Sequence, residues 1–187
     1  GGVQTGGGGG GGSDVPVMFF SRRIGLSQGQ AIPIVAGGRL TGKVGPVGIG
    51  VINVQTDEKP DAGALSTNFS VVRLKSDILR RSTIGVIATR RSPALVGKDS
   101  YLFGADTTLQ FFRSLTLNAY YARSHATDAG ADSESYRARF DYAADRYGLN
   151  ADHILVADGF NPEVGFIRRS AFRRTSGGAR FSPMDRW

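Results

Sequence analysis

The strongest constraint on this chain is a period of two. In residues 101–111, Tyr101, Phe103, Ala105, Leu109 and Phe111 fall on one parity, and Gly104, Asp106, Thr108 and Gln110 fall on the other. Successive side chains of an extended backbone point to opposite faces, so this pattern is a strand with one apolar and one polar face. Residues 32–44 set Ile32, Ile34, Ala36, Gly38, Leu40, Gly42 and Val44 against Arg39, Thr41 and Lys43. Residues 136–145 set Tyr136, Ala138, Phe140, Tyr142 and Ala144 against Arg137, Arg139, Asp141 and Asp145. From residue 31 onward the chain divides into such segments of roughly 9–13 residues, rich in β-branched and aromatic side chains and bounded by turn signals. Helical periodicity is nearly absent, and the faces of residues 47–55, 69–75 and 149–156 stay ambiguous.

Alternation of this kind suits a soluble sheet with one wet face as well as a membrane barrel. Two details favour the barrel. Residues 101–111 carry aromatics at both ends of their apolar face, as a tilted spanning strand of about 9–11 residues does at the two membrane interfaces. The connections also alternate: short at 45–46, 77–81, 113–114 and 145–148, long at 57–67, 92–99, 126–133 and 159–169. Short turns on one side and long loops on the other are the habit of a barrel inserted from the periplasm. The expected fold is therefore all-β: an antiparallel up-and-down meander forming part of a transmembrane β-barrel. About nine or ten strands are expected, and barrels close with even numbers from about eight upward. A strand over residues 17–23 is expected to bring the chain up to the first of them, and a last strand to run over 171–181.

Composition is neutral on this point. Hydrophobic residues make up 40% of the 187, and the longest apolar runs, such as residues 84–88, are far below the ~20 residues a spanning helix needs. A spanning helix is excluded; spanning strands are not, because they are only half apolar in any window. The absence of cysteine removes disulfides and thiolate metal sites. The net charge of +7 comes from basic residues scattered as separated doublets rather than gathered in one arm or helix, so nucleic acid is not an expected partner.

Residues 1–14 form a glycine-rich segment, with seven glycines from Gly6 to Gly12, and read as a flexible tract without chemistry. Residues 15–187 then read as one partial barrel domain. An exported protein should carry a signal peptide, and none is visible, so missing upstream sequence is expected; with no closing strand in sight either, the domain is expected to be truncated at both ends.

No motif rises to a catalytic site. Residues 37–43, GGRLTGK, satisfy a phosphate-loop pattern, but Val44 stands where Ser or Thr should bind magnesium, and Gly45-Pro46 would break the required helix. Asp128, Asp132 and Glu134 offer carboxylates without EF-hand spacing and read better as a solvated loop than as a calcium site. His125 and His153 are isolated, and no nucleophile elbow occurs. Asp106, Asp141 and Asp145 are expected to pair with Arg137, Arg139 and Lys43 inside a polar lumen, since charge there must be paired or hydrated. The expected lumen set is Arg39, Lys43, Asp106, Gln110, Arg137, Arg139 and Asp141. No cofactor, metal or catalytic activity is expected of the fragment.

Several stretches in order carry a resemblance: FFSRRIG at 19–25, IPIVAGGRLTGKVG at 32–45, TNFSVVRLKSDILRRSTIGVI at 67–87, YLFGAD at 101–106 and FNPEVGFIRR at 160–169. Together they resemble the domain of unknown function 5916 family, a bacterial barrel-like region. The resemblance covers nearly everything outside the glycine tract, and the glycine tract itself departs from it. It implies a longer chain with an upstream carbohydrate-binding module related to family 9, and it supplies no catalytic residues. Asn161, Glu163, Arg168 and Arg169 in the last stretch read either as an anion or sugar contact at the barrel mouth or as a Pro-locked turn with an arginine ladder, the latter preferred.

The expected function is then an outer-membrane barrel segment in contact with lipid, with an anchoring or transport role linked to glycan binding. The alternative is a soluble carbohydrate-binding β-sheet domain of a glycan-degrading protein.

Overall fold

The computed structural model describes residues 2–4, 15–21, 24–27, 29–95, 98–127 and 131–183. Four short strands come first: β1 (Gly2–Gln4), β2 (Val17–Phe20), β3 (Leu26–Ser27) and β4 (Gln30–Ala31). Nine longer ones follow: β5 (Ile34–Val44), β6 (Val47–Thr56), β7 (Thr67–Ile78), β8 (Ser82–Pro93), β9 (Ser100–Phe111), β10 (Leu115–Ala126), β11 (Ala131–Ala143), β12 (Tyr147–Val156) and β13 (Phe172–Phe181). These nine make one antiparallel sheet in the order β13-β12-β11-β10-β9-β8-β7-β6-β5, each strand pairing with its neighbours along the chain. The architecture is the all-β up-and-down meander that the alternation predicts. Among the described residues, no helix is long and apolar enough to cross a membrane.

The connections keep their rhythm. Residues 45–46, 79–81, 112–114 and 144–146 turn the chain at one end, while 57–66, 94–99 and 157–171 join strands at the other. One expected long loop is corrected: β10 and β11 run on until only residues 127–130 separate them. Ala126 pairs with Ala131 and His125 with Asp132, so polar residues expected in the loop extend the ladder instead.

Register settles the faces. Arg73 lies opposite Ile87, Ile87 opposite Gly104, Gly104 opposite Ala122, Ala122 opposite Ser135 and Ser135 opposite Val156. Directly opposed residues share a face, so one continuous parity runs across the sheet. One correction arises in β5. The register shifts between Ile34 and Ala36, with Ile34 opposite Thr56 and Ala36 opposite Gln55. The extra residue moves Ile34 off the face of Ala36, Leu40 and Val44, where strict alternation had placed it.

The two faces have inverted polarity. Across β7 to β12, one face carries exposed apolar groups, with Phe103 at 57% and Leu149 at 50% exposure. The other carries charged groups that are sheltered, the side chains of Arg137 and Asp152 being 11% and 19% exposed. A sheet that packs a soluble core does the reverse.

The buried cluster also lies on the charged face, at its long-loop end. Phe69, Val71, Ile87, Leu102, Tyr120, Ala122, Ile154 and Val156 supply the sheet side. Met18, Phe19, Phe160 and Val164 cover them. Here a third expectation is corrected: β2 is not a tenth strand of the sheet. It pairs with β1 and is fully buried at Met18, lying over the sheet rather than within it. Its apolar VMFF run is too rich on both faces for a wall strand with one polar side, and burying Met18 and Phe19 contributes about 1.5–3 kcal/mol each.

Candidate functional site

Among the described residues, the sheltered face gathers most of the paired charge. All seven expected lumen residues lie on it: Arg39 opposite Ile52, Lys43 opposite Gly48, Asp106 opposite Gly85, Gln110 opposite Thr116, and Arg137, Arg139 and Asp141 along β11. Their pairing differs from expectation. Asp106 is 2.5 Å from Arg73 rather than paired on β11. Arg137 grips Asp152 through both guanidinium nitrogens, Nε at 2.7 Å and Nη2 at 2.6 Å. Arg139 bonds Asp141 two residues along the same strand at 2.5 Å, and Lys43 reaches Asp77 at 3.5 Å. Asp145 sits exposed in the turn after β11. Arg39 is exposed on β5.

Three partners were therefore missed: Arg73, Asp77 and Asp152. Each sits in a strand whose face was ambiguous in the sequence or lies beside its turn, so parity could not recruit them. Arg73 reaches Asp106 by passing over β8 at Gly85, where a β-carbon would lie 2.4 Å from Nη2 and 2.8 Å from Cζ. A glycine in mid-strand is the legible signal for such a crossing. Neutral groups fill between the pairs: Thr108 Oγ1 donates to Asn118 at 3.0 Å, and the Tyr120 hydroxyl meets Ser135 Oγ at 3.0 Å. Sheltered carboxylates at Asp106, Asp141 and Asp152 are thus each committed to an arginine, and the two-point pairing of Arg137 with Asp152 and of Arg139 with Asp141 fixes geometry as well as charge.

Above the charges, β2 and residues 157–171 form a cover, or plug, over the apolar end of this face. The amide of Val17 donates to Phe166 O at 2.9 Å, the amide of Phe166 to Val17 O at 2.8 Å, and the amide of Phe20 to Val164 O at 2.8 Å. A β-carbon on Gly165 would lie 2.0 Å from Val17 O, so only glycine lets the two backbones meet. The connection 157–171 is tied to the wall as well: Ser133 Oγ donates to Asp158 O at 2.7 Å, and the amide of Ala157 to Glu134 O at 3.0 Å. Asn161 Nδ2 donates to Glu163 Oε1 at 3.1 Å, and Glu163 lies 3.5 Å from Arg91. Arg169 stacks over Phe172 at 5.9 Å. Of the expected mouth contacts, Asn161 and Glu163 brace the plug and Arg169 covers the base of β13, which is the structural reading of FNPEVGFIRR. A cleft of about 650 Å³ opens beside it, bordered by Phe20, Leu26, Phe69, Arg91, Glu163 and Phe166.

At the same end, Asp99 accepts from Ser92 Oγ at 2.7 Å, Arg90 Nη2 at 2.8 Å and the Tyr101 hydroxyl at 3.1 Å. The hydrogen bond from Ser92, then that from Arg90, holds its carboxyl below the usual carboxylate range.

Other motifs resolve locally. The GGRLTGK stretch lies wholly within β5, extended and followed by another strand, so it builds no phosphate loop. His153 Nδ1 meets Thr175 Oγ1 at 2.7 Å and its ring stacks on Tyr136 at 5.9 Å. Glu134 accepts from the Tyr121 hydroxyl at 3.0 Å; Asp128, and the side chain of Asp132, lie outside the described residues. No group of three or more metal-ligating side chains occurs among the described residues. The glycine run, Arg22, Arg23 and the last four residues also lie outside them.

Comparison with known protein families, curated proteins and solved structures returns no significant match.

Proposed function

We propose that β5–β13 are wall strands of an outer-membrane β-barrel whose lumen is blocked at the long-loop end, serving as an anchor rather than an open pore. The observation that carries this reading is the inverted polarity of the sheet. Lipid rewards apolar residues on the outside, and a lumen tolerates charge when it is paired.

Dimensions support it. Tyr101 and Phe111 bracket the apolar face of β9, and ten residue steps of about 3.3 Å, tilted by about 40°, give a band of roughly 25 Å. Tyr142, Tyr147 and Phe181 lie near the lower aromatic end, where Tyr147 and Phe181 stack at 5.4 Å, while Tyr121 and Tyr136 face each other within the band at the level of Ala105. At the level of Tyr101 the outer face turns polar: Asn53 Nδ2 donates to Asn68 Oδ1 at 3.1 Å and to Ser70 Oγ at 2.8 Å. Such a limit is what the edge of a hydrocarbon layer would impose.

The blocked lumen follows from Met18, Phe19, Phe160 and Val164, which fill it where long loops would face the exterior. The resemblance to the domain of unknown function 5916 family adds a proposal that an upstream module brings carbohydrate to this anchor.

The test is behaviour without lipid. The chain should aggregate in plain buffer and refold in detergent micelles to a form with heat-modifiable gel mobility. A monodisperse monomer with a sharp melt in detergent-free buffer would overturn the membrane reading in favour of a soluble β-sheet domain.

A further inference from the structure

The short-turn end of the sheet is built unlike the other. Its first turn uses Gly45 at φ +58, a backbone region natural to glycine. The next two place large apolar residues there instead, Leu79 at φ 59 and Phe112 at φ 57. A β-carbon makes this region strained, so these side chains are held out against a backbone cost. They are also the most outward of the large apolar residues, Leu79 at 74% and Phe112 at 90% exposure.

Basic residues follow each of them: Arg80 and Arg81 after Leu79, and Arg113 after Phe112. Arg80, Arg81, Gln110, Phe112 and Arg113 line a single hollow of about 350 Å³. The three guanidiniums are exposed, and none forms an ion pair with a described residue. This contrasts with the lumen, where arginines are matched to carboxylates. Three like charges brought together without a counter-charge, next to exposed apolar tips, form an amphipathic rim that water alone does not favour.

We propose that this rim is a docking collar for the phosphodiester headgroups of anionic phospholipid. Leu79 and Phe112 enter the boundary between headgroups and acyl chains, and Arg80, Arg81 and Arg113 contact the phosphates. Long arginine stems lie along apolar surface while their heads stay among charges, which suits this mixture. Charge complementarity selects an anionic partner, and the apolar tips beside the lower aromatic ring select a lipid over a soluble anion. The inference rests on the membrane reading above.

The test uses the full chain with Trp187→Phe and Phe112→Trp, so that one indole reports from the rim. The protein is reconstituted into phosphatidylcholine vesicles containing a minor fraction of phosphatidylglycerol. Brominated phosphatidylglycerol and brominated phosphatidylcholine are then compared as quenchers at equal mole fraction. Phosphatidylglycerol should be preferred roughly fivefold or more, because one basic residue near an anionic surface shifts binding by about that factor. Arg80→Ala, Arg81→Ala and Arg113→Ala together should abolish the preference while heat-modifiable mobility persists.

Equal quenching by the two lipids in protein that has inserted would overturn the collar and leave the barrel standing. A preference that survives the triple substitution would overturn its assignment to these arginines. Loss of the preference on adding inorganic phosphate would show a site for free phosphate and would likewise overturn it. Failure to insert at all, with no heat-modifiable form, would count against the barrel itself.

Discussion

The two halves of the sheet, divided across the strands, obey opposite rules on the same face. Toward the long loops the sheltered face is apolar and covered, with Val71, Ile87, Leu102 and Ile154 packed under Met18 and Phe160. Toward the short turns the same face is ionic, with Arg73, Asp106, Arg137, Arg139, Asp141 and Asp152 paired across it. The exposed face changes in the other direction, polar at Asn53, Asn68 and Ser70 and apolar at Leu74, Leu109, Phe140 and Leu149. One strand therefore crosses two environments, and its side chains exchange character halfway along. The difference teaches that the upper half is stabilised by a plug and the lower half by charge matching, and the two should fail separately.

The largest expected effect is on the plug. Gly165→Val cannot keep the contact of the two backbones at Val17, and Met18→Asp would bury an unpaired charge; each should cost about 3 kcal/mol or more of plug stability. Limited proteolysis and hydrogen exchange should show residues 15–20 and 157–171 released while β7–β12 stay protected. Concerted loss of both would mean that the halves are one unit. A substitution on the outer apolar band comes next. Ala138→Arg, on the exposed face of β11, should destabilise by about 2–4 kcal/mol in a bilayer, against roughly 0.5 kcal/mol or less if that face meets water.

How much of this was legible in the sequence follows from the same division. β9 reads cleanly because its outer face from Phe103 to Phe111 is apolar except at Thr107, while its inner face has Gly104, Asp106, Thr108 and Gln110. β7 does not, since Phe69 and Val71 face the plug and Arg73 the ionic half, while Ser70 lies above the apolar band and Val72 and Leu74 within it. β12 repeats this, with Asn150 and Asp152 succeeded on the same face by Ile154 and Val156. A period of two was present throughout, but its polarity reverses where the plug begins, and a pattern test over the whole strand averages the reversal away. The bulge at Ile34 hid a face by inserting one residue. The plug was illegible because β2 shares the composition of a strand but, besides pairing with β1, finds partners over 140 residues away in sequence, at Val164 and Phe166.

Smaller effects test the ionic half. Arg137→Ala leaves Asp152 sheltered without its partner and should cost about 2–3 kcal/mol, more than the double change Arg137→Gln with Asp152→Asn. Urea unfolding in micelles, read as a double-mutant cycle, would show the coupling; additive losses would mean that the pair is incidental. The smallest effect is at the long-loop rim. Because Asp99 ionises more easily when folded, its contribution is present above the ordinary carboxylate pKa of about 3.9 and is lost as pH falls through the lower folded value. Asp99→Asn should flatten the acid limb of a stability–pH profile below about pH 4, lowering stability slightly at neutral pH and leaving strongly acidic pH nearly unchanged.

The central claim is that the apolar face looks outward into lipid and the charged face inward. The native chain has no cysteine, so single cysteines can be placed and spin-labelled along β9 from residue 103 to residue 109 without background. In reconstituted vesicles, labels at 103, 105, 107 and 109 should collide mainly with oxygen dissolved in lipid, and labels at 104, 106 and 108 with a water-soluble nickel complex. The account predicts that alternation in that phase. The opposite phase, or uniform access to nickel at every position, would contradict it.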